Sequence, residues 1–566
     1  MLDDKVTVKV LKEKFPDSLK KIEDNNGNLS ITISRDSLIP VCETLKDNPE
    51  LDYDLLLDLC GVDYLGKREE RFEAVYHLYS IDKKQRLRLK VPLPENDPVA
   101  DSITPLWKTA NWFEREAYEM FGIKFRGHPN LTRLLTHDNF QGHPLRKDYP
   151  PDKRHKCTTV REYLKEEFKE LEGERTILNI GPSHPTMHGV FRVQVMLEGE
   201  TIVDAESEIG YLHRCFEKMA ETHTYHGVIP YTDRLNYCSA FMNNVGYAMA
   251  VEKLMGIEVP KRAQYIRVVL SEFSRIIDHQ VCIGANLVDL GALTNFWYFF
   301  RPREEVYSLI EACCGSRLTT NYVRIGGLAD DIPANFQSMA NKILDELPRF
   351  LNDVDTLNTK NVIFQNRTRG VGAISKEDAI NCGFTGPCLR AAGVPYDVRK
   401  AHPYYDYDKF EFEIPTGTNG DTYDRYLVRM EEIRQSMKII RQALDNMPDG
   451  PFQSDDKRVL LPPKDETYTN IEALMNHFKL IMHGILPEPG EIYSYTEAAN
   501  GELGFYIISD GSKNPYRIKV RPPCFPLYQT FPQLIKGGMI SDAIAILGSL
   551  NIIAGEIDRW ECRATL

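Results

Sequence analysis

An α+β chain in two parts is predicted by three observations. Its 566 residues exceed what one ordinary core holds. The first 150 residues carry short alternating apolar runs bounded by turn residues, and beyond residue 209 long apolar repeats at helical spacing take over. The division is read as an α/β domain over 1–150, a charged linker over 151–175, and a mainly helical domain with small strand patches over 176–566.

In the first part NLSITIS (28–34), FEAVYHLYSI (72–81) and RLRLKVPL (86–93) read as strands. WKTANWFEREAYEMFGI (107–123) reads as a helix through Trp107, Trp112, Ala117 and Phe121. In the second part FRVQVMLEGETIVDAE (191–206) alternates and turns at Glu198-Gly199, a hairpin directly after GPSHPTMHG (181–189). Helical patterns cover 209–223, 233–256, 263–292, 303–314, 333–352, 421–446 and 468–484, and ELGFYIISDGSKNPYRIKVRPP (502–523) returns to strands. The run VCIGANLVDLGALTNFWYFF (281–300) is long enough to span a bilayer. Asp289 at its centre costs a lipid-exposed helix about 2.5–3.5 kcal/mol, so a buried core helix with one functional acid is predicted instead.

Composition narrows the function. A formal charge of −13 repels a polyanion, and no basic patch offsets it, so nucleic-acid binding is not expected. The start, MLDDKVTVKVLKEKF, has neither the apolar core nor the cleavage site of a secretory signal, and export is not expected either. The 12 cysteines form no CxxC pair and are expected to stay reduced and buried.

Three places hold residues suited to chemistry. His184 and His188 stand four apart, but Pro182 and Pro185 forbid the continuous helix on which such a pair would share a metal, and no cysteine lies near. In YTDRLNY, Asp233 and Tyr237 would share one face at the start of a helix entered at Pro230, unless this is an ordinary helix start with a core tyrosine. Asp289, an acid within an apolar run, must find a cation or a histidine or stay protonated.

These residues sit in motifs that resemble a known family. FEREAYEMFGIKFRGHPNLTRLLTHDNFQGHPLRKDYPP (113–151) is similar to the signature of the C subunit of proton-pumping NADH:quinone oxidoreductase, respiratory complex I. GPSHPTMHGVFRV, GYLHRCFEKMAE, IPYTDRLNY, NVGYAMAVEKL, NRTRGVGAIS, GELGFYIISDGS and GEIDR resemble its D subunit, in the family's order, so the chain looks like a C–D fusion over nearly its whole length. The resemblance implies a D part with the fold of a [NiFe]-hydrogenase large subunit, lining a quinone chamber beside a terminal [4Fe-4S] cluster held by a neighbouring subunit. It implies that His188 and Tyr237 bind the quinone headgroup, that Asp289 stands behind His188, and that His184 and Asp233 belong to the same quinone site. Imidazole and phenol suit that task because both can give hydrogen bonds, then protons, to a reduced carbonyl. Arg214 matches an arginine near the cluster, where a fixed cation raises electron affinity. The chain itself would hold no metal or cofactor. Its partners would be the cluster-bearing B-type subunit, the I-type ferredoxin subunit, the G-type subunit and the membrane H-type and A-type subunits, on the cytoplasmic side of the cell membrane, with no transmembrane segment of its own.

Three departures stand out. Asn236 replaces the second acid of the family's DRLDY, which lowers local negative charge, and Asn286 takes the histidine position of its HALD. Thr319 stands where a histidine beside the cluster is usual; threonine does not titrate near neutrality, which points to a lower-potential cluster and to menaquinone rather than ubiquinone. A [NiFe] hydrogenase would need CxxC pairs near both ends, whereas RLNYCS and DRWEC hold one cysteine each. A non-catalytic scaffold would account for the C-like part, where Arg146, Lys147 and Asp148 read as docking or structural, but not for the retention of His188, Tyr237 and Asp289.

Overall fold

The computed structural model describes residues 5–25, 27–153 and 175–559. Most of the predicted charged linker, from 154 to 174, lies outside the described residues, as do Cys157 and Cys562. The architecture is the mixed helix-and-sheet one that the two sequence periods predict.

The first part is built on five strands: β1 (Leu19–Asn25), β2 (Asn28–Ile33), β3 (Leu55–Asp63), β4 (Phe72–Ser80) and β5 (Gln85–Leu93), in the spatial order β1-β2-β5-β4-β3. Only β2 and β5 run parallel, with Ile31 opposite Leu89. The predicted strands are β2, β4 and β5. β3 escaped because LLLDLCGVD is buried along its whole length, so no polar face marks it, and β1 because LKKIEDN is mostly polar.

Helices Val6–Lys14 and Leu38–Asp47 send Val8, Leu11, Val41 and Leu45 into the core. Another side of the sheet meets an antiparallel sheet from the far end of the chain, Gly490–Ala498, Gly501–Ser509 and Arg517–Arg521. There His77 stacks on Tyr493 with ring centres 4.2 Å apart, and Arg88 and Lys90 donate to Glu491 at 2.8 and 2.7 Å. Helix Ala110–Phe121 stops at Gly122, whose φ of 78° suits a residue without a side chain. Arg146 donates to the Phe121 carbonyl, Lys147 to Glu221, and Asp148 pairs with Arg71. The Arg146–Lys147–Asp148 run thus ties elements of this chain to one another.

In the second part the long helix Lys261–Asp289 is central, packed by Ala240–Met255, Leu293–Cys314, Thr422–Asp445 and Ile540–Leu550. Helix Phe336–Val354 packs on Leu293–Cys314. Lys261–Asp289, Phe336–Val354, Thr422–Asp445 and Ile471–His483 match the predicted patterns to within a few residues, whereas Ala240–Met255 starts seven residues later and Leu293–Cys314 ten residues earlier than expected, and no pattern predicted Ile540–Leu550. Two expectations are corrected here. The run 281–300 is not one buried helix: Asp289 ends one, Leu290–Ala292 form a break, and the next begins at Leu293 with Leu293 57% and Trp297 62% exposed. Gly291, at φ 89°, takes a conformation in which a helix cannot continue. No helix among the described residues is long and apolar enough to cross a membrane. The pattern at 209–223 becomes a helix only from Phe216, because Gly210 at φ 100° and Cys215 at φ 54° hold the chain in the left-handed region.

Candidate functional site

The histidine loop is held at both ends by one sheet. Strand Arg175–Ile180 pairs with Arg192–Glu198, and the latter pairs with Thr201–Glu208 across the turn predicted at Glu198-Gly199. Between them Pro185–Met187 make a single 3₁₀ turn that drops Met187 into the core. His184 caps that turn: its Nδ1 accepts the Thr186 hydroxyl at 2.7 Å, and the ring stays exposed. His188 follows at φ 52°, a left-handed conformation uncommon for a side-chain-bearing residue, and this swings its ring the other way. The ring meets the end of the long helix. His188 Nε2 lies 2.6 Å from Asp289 Oδ2, with the side chains 19% and 13% exposed. A carboxylate only accepts, so Nε2 carries the hydrogen, and Nδ1 has no partner among the described residues.

Asp233 and Tyr237 do not begin a helix. Pro230 lies inside helix Tyr225–Thr232 rather than at an entry, Asp233 ends that helix, and Tyr237 opens a separate 3₁₀ turn, Tyr237–Ser239, ahead of helix Ala240–Met255. The break follows from capping: Asn236 accepts the Cys238 amide at 3.1 Å and so starts a new turn. Consequently the two side chains part. Asp233 is buried towards the 320–321 loop, where Asn321 N donates to it at 3.5 Å, and burial pushes its carboxyl up to about 6. Tyr237 turns to the C-terminal segment; burial, then the nearby Cys238 and Asp278, push its phenol up to about 12. Its hydroxyl makes no hydrogen bond among the described residues, so it is a protonated donor without an acceptor.

One short stretch, Ala554-Gly555, lies against both Gly189 of the histidine loop and the Tyr237 ring. A methyl group on Gly189 would sit 2.9 Å from Ala554 Cβ, and one on Gly555 would sit 3.4 Å from the Tyr237 ring. Cavities of 580, 460 and 990 Å³ open elsewhere on the chain, and neither side chain lines them. Arg214 is exposed, on the irregular stretch before Phe216. Thr319 is half-buried, its carbonyl accepting from Ser316 at 2.7 Å. Asn286 is buried against Gly548 of helix Ile540–Leu550. The described residues contain no cluster of His, Cys, Asp and Glu that could hold a metal.

Comparison with known proteins gives the family of the chain. The family model of the respiratory-chain NADH dehydrogenase 49 Kd subunit matches residues 289–559, and that of the 30 Kd subunit matches residues 31–155. The chain is 54% identical over 515 residues to the C/D subunit of NADH-quinone oxidoreductase from Bdellovibrio bacteriovorus, covering 90% of this chain and 91% of that one. This chain belongs to the C/D-subunit family of NADH-quinone oxidoreductase, respiratory complex I. The C/D subunits of Methylococcus capsulatus, 43% identical over 544 residues, and Nitrosospira multiformis, 44% identical over 553 residues, cover 92% and 93% of the chain and are themselves covered to 93% and 90%. A complex I C/D subunit works among other complex I subunits and with quinone.

Sequence reasoning missed one part of the site. Asp278, on the long helix eleven residues before Asp289, is fully buried and accepts from Asn236 Nδ2 at 2.8 Å and Asn551 Nδ2 at 2.6 Å. Asn551 also donates to Asn500, Asn500 to Cys524, and Cys524 to Glu556 at 3.2 Å. Asp278 lies among Arg275, His279 and Gln280, so it lacked the isolation in an apolar run that singled out Asp289.

Proposed function

We propose that this member of complex I forms the pocket in which quinone is reduced, with His188 and Tyr237 meeting the headgroup and Asp289 behind His188. The observation that carries this is the presence of a carboxylate-held imidazole whose Nδ1 is free and a phenol whose hydroxyl is free, with the Tyr237 ring and Gly189, the residue after His188, both lying against Ala554-Gly555. With Nε2–H committed to Asp289, the neutral ring can only accept at Nδ1; it becomes a donor to a quinone oxygen when both nitrogens are protonated. The phenol donates in either case. Reduction of a quinone to its quinol consumes two electrons and two protons, and in this reading His188 and Tyr237 give one proton each.

The finer parts of the reading belong to the same proposal. Electrons arrive from a [4Fe-4S] cluster in the neighbouring B-type subunit, near Arg214 and Thr319. His184 and Asp233 stand at the margin of the quinone site, and menaquinone is favoured by Thr319. The D part over 176–566 has a [NiFe]-hydrogenase-large-subunit-like fold, joined to the C part over 1–150 by the linker. The chain sits peripherally on the cytoplasmic side of the cell membrane among I-, G-, H- and A-type subunits, is active only within the complex, and passes the consequence of quinone reduction to proton-translocating partners.

The test is quinone reduction by the assembled complex carrying Tyr237→Phe or His188→Ala. Each is expected to lower turnover by about a hundredfold while every subunit stays present at its usual level. Unchanged turnover would favour the scaffold reading instead.

A further inference from the structure

The loss of an acid at position 236 has a counterpart across the fold. Asn236 Nδ2 faces Asp278 at 2.8 Å, so the negative charge expected on one side of this contact stands on the other side. The amide orientation is set independently, because Asn236 Oδ1 already accepts the Cys238 amide and only Nδ2 is left for Asp278. Both oxygens of Asp278 are taken by N–H donors, Asn236 on one and Asn551 on the other. Among the described residues Asp278 makes no ion pair. A buried carboxylate without a cation depends on those two hydrogen bonds.

We propose that Asp278 is a positioning residue for Tyr237, acting through Asn236. This inference rests on the quinone-site reading above. Asn236 immediately precedes Tyr237 and caps the turn that Tyr237 opens, so its anchorage fixes where the phenol points. On the other side of the ring the same network ends at Glu556, next to the Gly555 on which the ring rests. The titratable groups around this contact are Tyr237, Cys238, His279, Cys282, Tyr307, Cys524 and Glu556; Arg303 acts on Cys238 and Arg429 on Cys282, and neither cation pairs with Asp278.

The contact needs one carboxylate and one amide, and hydrogen-bond counting shows that their order is interchangeable. With aspartate at 236 and asparagine at 278, Cys238 N–H and the new amide both find carboxylate oxygens, and the new amide's oxygen accepts from Asn551. Asn236→Asp alone sets two carboxylates face to face. Asp278→Asn alone leaves either Asn236 or Asn551 without an acceptor.

The assembled complex is assayed for quinone reduction with Asn236→Asp, Asp278→Asn, the double exchange, and Tyr237→Phe. Asn236→Asp is expected to lower turnover by about tenfold or more and Asp278→Asn by about threefold, with the double exchange within about twofold of the parent. The Asn236→Asp defect is expected to shrink as pH falls, since one of two facing carboxylates then takes up a proton and becomes a donor. A double exchange as slow as Asn236→Asp, with Tyr237→Phe slow as well, overturns the positioning role while the quinone-site reading stands. A Tyr237→Phe complex with full turnover overturns that reading.

Discussion

Where the first sheet meets the C-terminal strands, Glu116 is held by Lys519 and Arg559, each at 2.7 Å, and Glu217 by Arg517 at 2.8 Å. Beside Tyr237, Asp278 and Glu556 are buried as deeply, yet they touch amides and a thiol and form no ion pair among the described residues. The consequences for the acids are opposite. Burial alone would raise Glu217, but Arg517, Lys519 and Arg559 overcome it and bring its carboxyl down to about 2, whereas burial raises Glu556 to about 7. The seam uses charge to hold two parts of a chain together. Beside Tyr237, burial without a cation instead brings the Glu556 carboxyl into the range where protons are exchanged near neutrality.

The largest expected effect breaks the seam. Lys519→Met leaves Glu116 and Glu217 short of a buried cation and is expected to cost about 3–5 kcal/mol, read as a lowered unfolding midpoint of the complex. Asp278→Asn, which removes no cation but leaves one buried N–H without an acceptor, is expected to cost about 1–3 kcal/mol in the same measurement. Equal losses would erase the contrast between the regions. Next in size, Asp289→Asn gives His188 a weaker partner and is expected to lower quinone turnover by about tenfold at unchanged stability.

Titration sharpens the comparison further. The folded value of Glu217 lies below its ordinary one, so its contribution is present above pH about 4.5 and is lost as pH falls towards 2. Glu556 is raised, so its contribution is present below pH about 4.5 and is lost as pH rises through 7. Unfolding measured against pH is therefore expected to lose its acid limb in Glu217→Gln and to flatten near neutrality in Glu556→Gln. Gly555→Ala tests the packing beside Tyr237. Its new methyl would sit 2.5 Å from the Arg234 carbonyl and 2.8 Å from that of Leu235, and the backbone shift needed is expected to cost about 1–3 kcal/mol and to raise the quinone KM.

Long helices and the hairpin behind the histidine loop were legible because their periods repeat over many residues, as in 263–292 and 191–206. β3 was not, since a strand covered on both sides has no alternation to read. The break between Asp289 and Leu293 was hidden because the same apolar letters serve a buried helix end and an exposed helix start. At the site, the residues alone said that Asp289 must find a cation or a histidine or stay protonated, and it was the family resemblance that set it behind His188, where the contact lies. The course of residues 233–237 did not, because a side chain capping a backbone amide outweighed helical spacing. Asn236 read as a loss of charge only until the residue opposite it was in view.

The first sheet rests on strands that begin at Gly490, and this orders events as the chain is made. A ribosome working at roughly 5–20 residues per second delivers those strands about 400 residues, or roughly 20–80 seconds, after β5 has emerged. Throughout that interval Arg88, Lys90 and His77 face water and whatever chaperone is at hand, so the amino-terminal part is expected to reach protease resistance only once the last strands are released.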